Sequence, residues 1–70
     1  MSQLIITALV KEAEAKEAKA IANLQNYLSN PAGIGEHPDI VEECMKLVKT
    51  IAEAREVAQT IKSLIDKDNK

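Results

Sequence analysis

Cysteine and histidine occur once each in this sequence, as Cys44 and His37. A lone cysteine excludes an internal disulfide, and a single histidine beside it leaves too few ligands for a structural zinc site. These absences matter at a length of 70 residues, where a single small domain buries only about 60% of the surface its unfolded chain exposes. Small domains are reinforced by disulfides, metals or oligomerisation, and oligomerisation is the one left. Tryptophan and phenylalanine are absent and Tyr27 is the only aromatic residue, while Ala, Leu, Ile, Glu and Lys abound, as in helical proteins. Positive charge is not in excess either: 9 basic side chains stand against 11 acidic ones. Sequence-independent binding to phosphates needs a basic stripe, and none is evident, which disfavours nucleic acid as a partner. No long hydrophobic run occurs. Leu4-Ile5-Ile6 and Ala8-Leu9-Val10 are interrupted by Thr7 and followed by Lys11, Glu12 and Glu14. That run is too short for a membrane span and lacks the basic start of a signal peptide. With a reduced lone cysteine, a cytoplasmic setting is expected.

Glycine and proline are scarce, and their position organises the chain. Both glycines and both prolines lie in the stretch Asn30–Asp39, reading NPAGIGEHPD. On either side run Ala-rich, charged segments without a helix breaker. The expectation is an all-α fold: one domain over residues 1–70, an antiparallel two-helix hairpin with helices at about 2–29 and 38–66 and a loop at 30–37. Ser2 suits the first N-cap. Gly33 and Gly35 let the chain reverse around Ile34, which folds back over the open end of the layer. Pro38 fits the first turn of the second helix, and Asp39, Glu42 and Glu43 place negative charge at its positive dipole end. Residues 66–70 are polar and expected to fray.

Each helix carries an apolar seam with alternating steps of three and four. The first reads Ile6, Val10, Ala13, Glu17, Ala20, Leu24, Tyr27, widened by Leu9, Ile21 and Leu28. The second reads Ile40, Cys44, Leu47, Ile51, Ala54, Ala58, Ile61, Ile65, flanked by Val41, Val48, Val57 and Leu64. In a hairpin turning at Ile34, residues whose numbers total about 68 to 70 stand at the same height, so Ala13 meets Ala54 and the helices approach most closely there. Glu17 interrupts the first seam near Arg55, and a carboxylate on an apolar stripe wants a partner. An inter-helix ion pair between Glu17 and Arg55, across the hairpin or between protomers, is expected, with Glu14 as the other partner open to Arg55. Glu42–Lys46, Lys49–Glu53 and Lys62–Asp66 have the spacing of intrahelical pairs. Ala8, Ala15 and Ala22 repeat every seven residues opposite the seam, either as helix formers on a wet face or as a second packing surface.

Chemistry is sparse. His37 precedes a proline in a turn, with no nucleophile or acid in a recognisable arrangement around it. Cys44 lies on the seam as a small hydrophobe, beside the carboxylate of Glu43, which works against a reactive thiolate. The glycines lack the third glycine and the lysine of phosphate loops, and no Glu-x-x-His of a di-iron bundle occurs. The sequence reads as a protein without catalytic residues, cofactor or metal.

The run Asn30-Pro31-Ala32-Gly33-Ile34-Gly35-Glu36-His37-Pro38-Asp39 resembles a loop of short two-helix proteins encoded by tailed bacteriophages, marine ones included. The resemblance covers the helices only through their Ala/Glu/Lys character. It implies a phage origin and brings no activity and no site residues. In architecture the chain is also similar to the plasmid RNA-binding protein Rop, a dimer of hairpins, without the aromatic and basic groups of an RNA-binding face. Type III secretion needle subunits are hairpins with an Asn-Pro loop and a short Pro-x-x-Pro turn, whereas Pro31 and Pro38 here lie seven apart.

The functional expectation is a non-enzymatic, self-associating interaction protein, which could also engage a host or virion protein in the host cytoplasm. A Rop-like regulator of RNA and a structural subunit of a phage particle or secretion needle are the other readings. Leu9, Ile21, Leu28, Val41, Val48, Val57 and Leu64 are the candidate oligomer interface, because one hairpin has a single inter-helix face and cannot cover them all. A two-fold pair of hairpins forming a four-helix bundle covers them; a larger bundle using the Ala8–Ala15–Ala22 face is the variant.

Overall fold

The computed structural model describes residues 2–29 and 39–68. Two α-helices account for nearly all of these: α1, Gln3–Ser29, and α2, Ile40–Asp68. At 1.5 Å per residue they are about 40 and 43 Å long, within a molecule whose longest dimension is 52 Å. The two pack against each other, and no strand occurs among the described residues. They are antiparallel. Tyr27, late in α1, lines the same cleft as Glu43 and Leu47, early in α2. Leu9 and Ala13, early in α1, line another cleft with Ala54 and Val57, late in α2. The expected turn around Gly33, Ile34 and Gly35, with His37 and Pro38, lies outside the described residues.

Local chemistry explains both helix starts. The Ser2 hydroxyl accepts from the Ile5 amide at 3.5 Å and its carbonyl accepts from Ile6 at 3.0 Å. Asp39 does the same for α2: Oδ1 accepts from the Glu42 amide at 2.8 Å and the carbonyl from Glu43 at 3.2 Å. The second helix, expected from about 38, begins at Ile40, because Asp39 is the capping residue itself, three positions before Glu42 in the manner of a capping box. Two threonines inside α2 turn their hydroxyls onto the preceding turn, Thr50 onto the Lys46 carbonyl and Thr60 onto that of Glu56, which satisfies them without a tertiary partner. At its end α2 continues to Asp68, beyond Asp66 where fraying was expected; Lys67 in the last turn suits the negative end of the helix dipole.

The core is narrow. Ala13 and Ala20 of α1 and Ile51, Ala54 and Ile61 of α2 are its buried residues. Around them Ile6, Val10, Glu17, Leu24 and Tyr27 are half-buried, as are Ile40, Cys44, Leu47, Ala58 and Ile65. Both seams read from the sequence therefore face inward along their full length. Three of the five buried residues are alanine, so the helix axes come close with little side-chain volume between them.

Candidate functional site

The buried seam uses the inner stripe of each helix and leaves two flanks. At about 100° per residue, Ile21, Leu28, Val41, Met45 and Val48 project to one flank, together with Glu14 and Arg55. Leu9, Lys16 and Asn23 of α1 project to the other, with Glu43, Thr50, Val57 and Leu64 of α2. The lining of the clefts carries the second assignment: Leu9, Lys16, Thr50 and Val57 border one, and Asn23, Glu43 and Thr50 the other. Both clefts lie open on that same flank.

Of the seven interface residues expected from the sequence, six stand in water. Leu28 and Val41 are 68% and 77% exposed, and Leu9, Val48, Val57 and Leu64 lie between 44% and 50%. Ile21 is half-buried. The structure adds Leu4, Ile5 and Met45 to the exposed large apolar residues. Met45 was legible in principle, since Val41, Met45, Val48 and Ala52 repeat the four-three-four spacing of a seam. Ala8, Ala15 and Ala22 are exposed.

Glu17 and Arg55 meet across the hairpin, Arg55 Nε donating to Glu17 Oε2 at 2.8 Å. Their side chains differ in exposure, 26% for Glu17 and 64% for Arg55. The carboxylate sits half within the seam and the guanidinium reaches over it from the rim. The intrahelical pairs depart from expectation. Lys46 turns to Glu43 at 3.4 Å and not to Glu42, one residue nearer and on the flank where the cleft gives the lysine room. Lys16 pairs with Glu12 at 3.7 Å. Among the described residues Lys49–Glu53 and Lys62–Asp66 do not close to ion-pair distance; on exposed helix faces water competes for both charges at little cost.

Cys44 is a free, half-buried thiol on the seam. Among the described residues no group of three or more His, Cys, Asp or Glu side chains is placed to hold a metal ion, and no helix is long and apolar enough to cross a membrane. His37 lies outside the described residues. The cleft bordered by Asn23, Asn26, Tyr27, Glu43, Lys46, Leu47 and Thr50 is polar and open, and its one ion pair is satisfied internally. What the arrangement offers is apolar surface on two flanks. No protein-family model, no curated relative and no solved structure matches the chain.

Proposed function

We propose that the protein is a non-enzymatic, self-associating interaction module, whose hairpins pair through their exposed apolar flanks into a four-helix bundle. One observation carries this reading: about half of the large apolar side chains among the described residues are in water. Nine large apolar side chains are exposed among the described residues, against five small or aliphatic ones buried. The accessible surface is 5563 Å², where a compact monomer of 7.6 kDa shows about 4,300 Å². The surplus, about 1,300 Å², exceeds the roughly 800 Å² that each partner contributes to a standard stable interface. Pairing hairpins covers such surface with packing close to that of coiled coils. A phage origin, a cytoplasmic setting and a further host or virion partner belong to the same reading through the loop resemblance.

Size-exclusion chromatography with light scattering at micromolar concentration tests it. A mass about twice that of the chain is expected, with a melting temperature that rises with protein concentration. A stably folded monomer with a concentration-independent melting point overturns the proposal.

A further inference from the structure

We infer that the second copy docks on the flank carrying Ile21, Leu28, Val41, Met45 and Val48, with the two hairpins side by side and their loops at the same end. The inference rests on the self-association reading and adds the face and the orientation.

The two apolar patches are arranged diagonally. The first lies in the loop half of one flank. The second, around Ile5, Leu9, Val57 and Leu64, lies in the open half of the other. Their centres are some 17 residues apart along the helices, or about 25 Å. Neither flank is apolar from end to end, so a partner has to match apolar with apolar and charge with charge.

On the first flank, with the helices overlapping over their full length, that match exists in one orientation. At equal heights Leu28 stands with Val41, Ile21 with Val48, and Glu14 with Arg55, which already reaches inward to Glu17. A two-fold axis parallel to the helices brings α1 of each copy against α2 of the other and repeats those pairs between copies. Apolar side chains then meet near the loops, and Glu14 faces the partner's Arg55, whose guanidinium keeps further donors beside the one given to Glu17. Turning the partner end over end lays Ile21 on Glu14, Val48 on Arg55 and Val41 on Lys62. That orientation buries charges against apolar groups without partners, which is strongly unfavourable.

The second flank offers less. Its polar half holds Lys16 and Glu43, each already paired within its own helix, to Glu12 and Lys46. Glu53, which lines the cleft there without an ion pair among the described residues, stands level with Lys16, whose ammonium already serves Glu12. Three residues of the first patch, Leu28, Val41 and Met45, are more than half exposed, against Ile5 alone in the second.

Two measurements test the inference on the full chain. Met45→Glu and Val48→Glu are expected to weaken dimerisation by about tenfold or more, read by light scattering across a dilution series. Val57→Glu and Leu64→Glu are expected to leave the dimer in place. A dimer that survives the first pair and is broken by the second overturns the choice of face; a monomeric parent protein instead overturns the self-association reading itself. Because a separated hairpin can lose helix, orientation is read on the intact interface. In a Cys44→Ser background, spin labels on Lys67→Cys should lie within about 30 Å of each other when the open ends are neighbours, and beyond about 45 Å when the hairpins run head to tail. The longer distance overturns the proposed orientation.

Discussion

The Asp39 carboxylate is the better placed of the two helix caps. It closes the first turn of α2 with a 2.8 Å bond, where the Ser2 hydroxyl reaches its amide only at 3.5 Å. Asp39→Ala is therefore expected to cost about 1 kcal/mol, and Ser2→Ala distinctly less, both measured by urea denaturation. Asp39→Asn should retain most of the cap. The sequence displayed Asp39 and Glu42 at capping-box spacing, yet the neighbouring proline drew the expected helix start two residues early. Glu17 and Arg55 were legible for a plain reason, because a charge inside an apolar period stands out. Arg55 is mostly exposed while Glu17 is not, so Arg55→Ala should destabilise by about 1 kcal/mol, at the upper end for exposed pairs. Much of that loss comes from the carboxylate left on the seam. Combining Arg55→Ala with Glu17→Leu is expected to recover the loss, as apolar replacements of ion pairs often do. A double variant no more stable than Arg55→Ala would show that Glu17 is solvated well enough to stand alone.

At the scale of the helices, alanine sets the geometry. Ala13, Ala20 and Ala54 are the most deeply buried residues, so little side-chain volume separates the helices there. Ala54→Leu would force them apart and is expected to cost about 1–3 kcal/mol, visible as a lower melting temperature by circular dichroism. The alternative outcome, a neutral or stabilising effect, would mean that the helices are free to separate there. Both seams were readable because a helix packed on one neighbour imposes a narrow stripe of three-four spacing. What that pattern does not reveal is which flank a wide stripe spills onto. Leu9 and Leu28 extend the same seam in the sequence, yet they fall on opposite sides of the hairpin. Choosing between ion-pair partners was equally out of reach: Glu42 and Glu43 are neighbours in sequence, and the orientation of one lysine stem decides between them.

For the whole molecule, the thin core has a calorimetric consequence. The heat capacity of unfolding comes mainly from apolar surface newly placed in water, about 12–15 cal/mol/K per residue for ordinary domains. Side chains already in water in the native state, such as Leu4 at 84% and Val41 at 77% exposed, add almost nothing to it. An isolated hairpin should therefore unfold with a heat-capacity change well below that range, and a bundle with one inside it. Scanning calorimetry at a concentration where the protein is associated, against thermal unfolding at high dilution, separates the two. A normal value at every dilution would mean that the lone hairpin hides more of its surface than its exposed flanks indicate. A small heat-capacity change also flattens the dependence of stability on temperature. The separated hairpin would then be weakly stable over a broad range of temperatures, melting gradually and with little sign of cold denaturation, while association would restore the curvature of an ordinary globular domain.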